Sequence, residues 1–298
     1  MMGVEAIRDL IARLGTSANA LLALGLALQA RVDRPPTDAA LTGRIADVLA
    51  VLGVRNLIDD LSEADSATLL AGIRTDLFTA ATALRGTSPV SGWTHVKADL
   101  LQSAGDVSAG FPRLLLTRIA PQLEGLADRL ASSDAAFLDV GVGVAALSIA
   151  MVRQWPRLRV VGVDPCGPAI MLGQRNVQSA GLAGQIDLRE AAAEDLSDTD
   201  AFDLAWIPSL FIPQRSIARI VERVVRSLRP GGWLLFAAIN PDSEPLAAAL
   251  NSFRATLWGG CVLDAGAVRA LLTNSGLVDV RLLPGPPAAT VAFAVGRR

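Results

Sequence analysis

Asp139-Val140-Gly141-Val142-Gly143-Val144-Ala145 reads as a strand end running into a glycine turn. The apolar run Ala136-Phe137-Leu138 leads in and reads as a buried strand. Gly141 and Gly143 let the backbone turn tightly and approach a ligand closely. Ala145 to Met151 then reads as a helix whose N-terminus faces the same ligand. A second apolar run, Leu158 to Val163, ends in Asp164-Pro165. In an open parallel sheet, strand ends at the topological switch form the ligand crevice. A carboxylate there can accept hydrogen bonds from both ribose hydroxyls, so the pattern points to a nucleoside ligand.

The same residues fit a dinucleotide site, with Gly141, Gly143 and Ala146 as the turn and Asp164 on the ribose. Asp139 discriminates. A pyrophosphate gains nothing from a carboxylate at the strand tip, whereas a ligand with an ammonium group does. S-adenosylmethionine has an ammonium, a ribose and no phosphate. A plain strand–turn–helix with an incidental Asp is the bland alternative.

Further elements follow in α/β order. Ile186 to Glu190 is a third strand pattern, running into the loop Ala191 to Leu196. Phe202 to Pro208 is a fourth. Gln214 to Leu228 carries a helical stripe at Ile217, Ile220, Val221, Val224, Val225 and Leu228. Arg229-Pro230-Gly231-Gly232 is predicted to turn the chain into a fifth strand, Trp233 to Ile239. Val278 to Leu283 and Thr290 to Gly296 close the chain, and the short link between them fits an antiparallel hairpin at the sheet edge.

From about Leu115 to Arg298 this assembly resembles the class I S-adenosylmethionine-dependent methyltransferases. The residues that carry the likeness are Leu138 to Gly143, Val163-Asp164, Phe202-Asp203-Leu204 and Leu228 to Gly232. The resemblance implies a Rossmann-like, doubly wound α/β sheet of seven strands with an antiparallel C-terminal hairpin. It implies S-adenosylmethionine as cofactor, with Asp139 on the methionine ammonium and Gly141, Gly143 and Ala145 along the methionine part. Asp164 and Pro165 would hold the ribose, and Trp206 and Ile207 would border the methyl-transfer crevice; Trp206 as an ordinary core anchor is the other reading. Ala145 stands where a third glycine is common. The Asp often set against the adenine falls at Ala192, so Glu194 or a backbone group of Ala193 takes that contact.

Composition sets limits. The chain has 298 residues, 51% hydrophobic and 19% charged, enough for one large domain or two modest ones with a sizeable core. The net charge is −2 and no basic cluster stands out, which argues against a nucleic-acid partner. Cys166 and Cys261 are far apart and fit reduced thiols and a cytoplasmic setting. One His and two scattered Cys cannot build a zinc site, so no metal is expected. No signal peptide is visible, and the apolar stretch Ala18 to Ala30 is too short for a membrane span.

Residues 1–114 are predicted to be a helical N-terminal domain, and residues 115–298 the cofactor-binding domain. Helices are expected over Val4 to Leu14, stopped by Gly15, over Leu21 to Val32, and over Ala40 to Leu52 behind a Thr37-Asp38 cap. Another runs towards Leu84 from a cap at Asp65 or Ser66. A homodimerisation module fits better than a degenerate winged helix, because the basic recognition helix of a DNA reader is missing. His95, the only histidine, lies in the segment Ser91 to Asp99; it either deprotonates or orients a nucleophile, or is a surface or capping residue. Asp99, Gln102 and Asp106 share a helical face and are secondary candidates.

The expected function is methyl transfer to a small apolar or aromatic metabolite at oxygen, nitrogen or carbon, with Trp206, Phe211 and Trp258 as pocket walls. Three alternatives stay open. An NAD-linked oxidoreductase leaves Asp139 unexplained. A tRNA or protein methyltransferase shares the core, but Ile207-Pro208-Ser209-Leu210 is not an Asn-Pro-Pro-Tyr type motif. A non-catalytic cofactor-binding regulator would keep the core without the acceptor pocket.

Overall fold

The structure, a computed structural model, describes residues 2–33, 38–84, 97–240, 244–283 and 291–298. Its strands are β1 (Ala136–Val140), β2 (Arg159–Asp164), β3 (Ile186–Glu190), β4 (Phe202–Pro208), β5 (Leu228–Ile239), β6 (Val278–Leu283) and β7 (Val291–Arg297). They form one seven-stranded sheet in the order β3-β2-β1-β4-β5-β7-β6. The first five pair in parallel, whereas β7 is antiparallel to both β5 and β6. The sequence reading of a Rossmann-like sheet with a terminal hairpin holds. The hairpin's second strand inserts beside β5 and leaves β6 at the edge.

One boundary differs. Arg229 to Gly232, predicted as a turn, lies within β5, which starts at Leu228. The register with β4 slips between Phe202 and Leu204, and Gly231 takes φ 76°. The Pro-Gly-Gly signal is therefore spent on an irregularity inside a strand pair rather than on a chain reversal.

Among the described residues, seven α-helices precede the sheet: α1 (Met2–Val32), α2 (Ala39–Val51), α3 (Arg55–Asp59), α4 (Glu63–Ala83), α5 (Ala98–Asp106), α6 (Phe111–Leu114) and α7 (Leu126–Ala131). The two helices expected on either side of Gly15 are one helix of 31 residues. A helix stop at glycine needs the left-handed conformation, and Gly15 is not among the positive-φ residues. Thr16 and Ser17 donate back to the carbonyls of Ala12 and Arg13, as helix-interior residues do. By length and composition, α1 is also long and apolar enough to cross a membrane, over Gly3–Val32; the expectation of too short a segment counted only Ala18 to Ala30. The cap of α4 is Ser62, whose Oγ accepts from the Asp65 amide at 3.0 Å. Ser66, one of the caps expected, is buried inside the helix. α2 is capped by Asp38 as predicted.

The front helices have their own small core: Leu28 of α1, Leu49 of α2, Ile58 of α3 and Leu70 of α4. Among the described residues no strand precedes Ala136, so the winged-helix alternative gains no support. α5 and α6 lead through short 3-10 and π turns to Gln122 without an extended break.

Helices α8 (Ala146–Gln154), α9 (Gly167–Ser179), α10 (Gln214–Ser227), α11 (Pro245–Leu257) and α12 (Ala265–Asn274) complete the fold. α7, α8 and α9 bury Leu126, Leu130, Met151, Ile170 and Val177 against one face of the sheet. α10 and α12 bury Ile217, Val221, Val224, Val268 and Leu272 against the other. Burial on both faces is why the central strands are apolar throughout.

Candidate functional site

The site is built where β1, β2 and β3 end, each on an acidic residue or one step before its end. Asp139 sits in β1 with Gly162 of β2 and Trp206 of β4 as register partners. Its carboxyl is buried and accepts from the Ser148 hydroxyl of α8 at 2.7 Å. Burial pushes its pKa up to about 7, against the lowering effect of that hydrogen bond. Asp164 ends β2, and one oxygen accepts from the Gly143 amide at 3.0 Å while the other accepts from the Cys166 amide at 2.8 Å. Burial raises this pKa as well, opposed by the two amides. Each carboxylate oxygen keeps a second acceptor position, so a ribose can still be held there.

The glycine loop is set by its own backbone. The Gly141 and Val142 amides both donate to the Val163 carbonyl, and the Ala145 amide to Val142. Gly141 takes φ 69° and Gly143 φ 53°. Ala145 takes φ 64°, the left-handed conformation a glycine would adopt freely. That conformation costs an alanine about 1–2 kcal/mol, so the turn carries local strain there.

Glu190 is the residue that sequence reasoning missed. It ends β3 opposite Asp164 in register, and its carboxylate lies against Gly167 at the start of α9: a Cβ on Gly167 would stand 2.9 Å from Oε1. Its only sequence signal was an acidic last residue of a strand. Three carboxylates thus crowd the strand tips, and among the described residues none of them forms an ion pair. Such a crevice repels a pyrophosphate and attracts a cation. This is the electrostatic distinction that Asp139 alone suggested.

The remaining expected residues are placed as follows. Pro165 lies exposed in the turn between β2 and α9. Ala193 and Glu194 form a 3-10 turn after β3, Ala193 buried and Glu194 half-buried. Trp206 packs on Phe111 and Phe293 with ring centroids 4.9 and 6.0 Å away, as a core anchor on one sheet face. Ile207 is fully buried on the opposite face with the α10 residues, so its side chain belongs to the core. Beyond β4, Phe211 stacks on Trp258 at 5.0 Å and 24°, forming an aromatic wall. The wall is anchored because the Cys261 amide and thiol donate to the Ser209 carbonyl and the Ser209 hydroxyl donates to Ala237. His95 lies outside the described residues. Asp99 is exposed on α5; Gln102 and Asp106 face the back of the glycine loop rather than the crevice. Among the described residues no group of three His, Cys, Asp or Glu could hold a metal. A concavity of about 570 Å³ beside Arg159, Gln174 and Asp187 lies along β2, β3 and α9 and contains none of the site residues.

Comparisons with known proteins point to a methyltransferase domain and fold. A family model described as a methyltransferase domain matches residues 137–232. The ubiquinone biosynthesis O-methyltransferase of Paracidovorax citrulli is 29% identical over 115 residues, which are 38% of this chain and 47% of that protein. The chain thus spans about half the length of the curated relatives it matches. The solved structure of the pyocyanin biosynthetic protein PhzM superposes over 100% of this chain and 99% of that one, at 16% identity and a TM-score of 0.64. Human N-acetylserotonin methyltransferase, solved with S-adenosylmethionine, covers 100% and 98% at 16% identity and a TM-score of 0.60. At such identities the likeness is one of fold, and it includes the front helices as well as the sheet. Residues 137–232 thus match a methyltransferase domain, and the chain as a whole shares the fold of these solved methyltransferases.

Proposed function

We propose that the protein transfers the methyl group of S-adenosylmethionine to a small apolar or aromatic acceptor. The observation that carries this is the cluster of Asp139, Asp164 and Glu190 around a glycine loop with no paired cation. When bound, the cofactor supplies a methyl group already activated by its sulfonium. Asp139 would hold the ammonium, the glycine loop would lie along the methionine part, and Asp164 would hold the ribose. The Ala193–Glu194 turn would border the adenine. The stacked Phe211–Trp258 pair offers an acceptor ring a flat apolar wall. The chain's task is to align donor and acceptor at about 3–3.5 Å and to exclude water. An acceptor with an acidic oxygen needs a proton acceptor, and His95 is assigned that task; a carbon made electron-rich by its own ring needs none.

Asp164→Ala should weaken binding of the demethylated cofactor by about 1.5–3 kcal/mol, the range for a hydrogen bond to a charged group. Isothermal titration measures it. Binding equal to that of the wild type would remove Asp164 from the site.

We infer a homodimer, formed through the first half of α1 rather than through Ala18 to Ala30. In that later segment Leu24, Ala27 and Leu28 are engaged in the core of the front helices. In the first half Val4, Ile7, Leu10, Ile11 and Leu14 are all exposed. A second copy of this stripe is the partner proposed, in keeping with the prevalence of two-fold oligomers. Leu10→Asp combined with Leu14→Asp should convert a dimer to a monomer in light scattering at micromolar concentration. A monomeric wild type would refute the assignment. Free Cys166 and Cys261 support a reducing, cytoplasmic location; recovery in the membrane pellet after cell fractionation would instead favour α1 as an anchor.

A further inference from the structure

Gln102 and Asp106 stand apart from the crevice, yet they belong to a hydrogen-bonded chain that ends on the glycine loop. The Asn176 amide of α9 donates to the Val144 carbonyl and to Gln102 Oε1, both at 3.0 Å. Gln102 in turn donates through Nε2 to Asp106 Oδ1 at 2.7 Å. The packing follows the same path. Leu101 of α5 and Ala169 of α9 are buried against Val144. A Cβ on Gly105 would stand 2.3 Å from Val144 Cγ2, so only glycine lets α5 come this close to the loop. A Cβ on Gly173 would meet the Gly143 carbonyl at 3.1 Å, so α9 is pressed equally close from its side. The loop is held between a helix of the front region and a helix of the sheet domain, and the relay ties the two.

We propose that Gln102 and Asn176 are positioning residues that hold the Val144 carbonyl, and with it the glycine loop, in its cofactor-binding shape. α5 of the front helical region thereby sets cofactor affinity, although it contributes no atom to the crevice. The proposal rests on the cofactor assignment made above. Asp106 anchors the outer end; burial raises its pKa, while the Gln102 amide and the nearby Arg74 lower it. The strain at Ala145 gives the relay something to oppose, because a loop held in an unfavourable conformation relaxes when its restraint is cut.

The test uses volume-matched variants that remove polar groups and keep packing, Asn176→Leu and Gln102→Met. Both side chains border a concavity of about 310 Å³, which leaves room for the replacement. Each should weaken binding of S-adenosylhomocysteine by about fivefold or more, the equivalent of one hydrogen bond, with the melting temperature lowered by only about 2–4 °C. The double variant should be no weaker than Asn176→Leu alone, because links in series are not additive. Hydrogen exchange of the Ala145 amide in the ligand-free full chain should be faster in both variants. Wild-type affinity and exchange in Gln102→Met would overturn the proposal, since a residue that only fills space would behave that way. Should Asn176→Leu fail to fold, Gln102→Met decides alone. If the wild type does not bind S-adenosylhomocysteine, the cofactor assignment fails instead, and the exchange rates still judge the relay.

Discussion

Asp203→Ala should destabilise the protein by about 3 kcal/mol, the lower end for breaking a buried ion pair. Asp203 is buried at the start of β4. It accepts from Arg229 Nη1 at 2.6 Å, from Arg129 Nη1 at 3.2 Å and from the Ala136 amide at 3.0 Å. One carboxylate thus ties α7 and the starts of β1 and β5 to β4. Removing it leaves two arginines and an amide without their shared acceptor. The arginine side chains are 32% and 30% exposed, so water recovers part of the loss, which places the estimate low in its range. At about 2–4 °C per kcal/mol for a chain of this size, the melting temperature should fall by roughly 6–12 °C. Asp203→Asn, which keeps an acceptor but no charge, should fall between. Cofactor affinity should hardly change, because Asp203 lies at the opposite end of the strands from Asp139. A shift below about 1 kcal/mol would mean that Arg229 re-pairs with Asp134, already 3.8 Å away.

The second large effect concerns proton handling, where two groups are expected to titrate near neutrality. His95 has an unperturbed pKa near ~6.5, and Asp139 is pushed up to about 7. Both produce a limb that rises with pH, for different reasons. On the proposal that Asp139 holds the cofactor's ammonium, it does so only when ionised, so cofactor affinity should rise about tenfold between pH 6 and pH 8, as the competent fraction grows. Asp139→Asn should flatten that dependence. At saturating cofactor this contribution vanishes from the rate. If His95 is the base, as proposed, its neutral imidazole alone accepts a proton, so turnover of an oxygen acceptor should then rise through the imidazole pKa. His95→Ala should flatten the rate profile and slow turnover by roughly 10²–10⁴-fold, the usual range for a lost general base. Full turnover in His95→Ala, with the rising limb intact, would remove His95 from the chemistry.

The sheet was legible because its evidence is local. Apolar runs bounded by turn residues, and a carboxylate beside a glycine pair, are visible within ten residues of sequence. The front helices were less so. Gly15 reads as a stop, but its consequence depends on a backbone conformation that sequence does not display, and a glycine inside a helix costs only about 1 kcal/mol against alanine. At the candidate site, Asp139, Gly141, Gly143 and Asp164 lie around one loop. Ser148 as the partner of Asp139 was not foreseeable, since a serine inside a helix carries no mark of what it faces. Glu190 was passed over because an acid at a strand end is ordinary until the neighbouring strands are aligned. Trp206 looked equally suited to crevice and core, and only the positions of Phe111 and Phe293, remote in sequence, place it in the core.

The central claim is that the acidic strand tips select a cationic, phosphate-free nucleoside cofactor. Isothermal titration of the wild-type chain with S-adenosylmethionine, S-adenosylhomocysteine and NAD tests it most directly. Micromolar binding of the first two, with no detectable heat from NAD, is the predicted result. NAD binding tighter than that of S-adenosylmethionine would contradict the account.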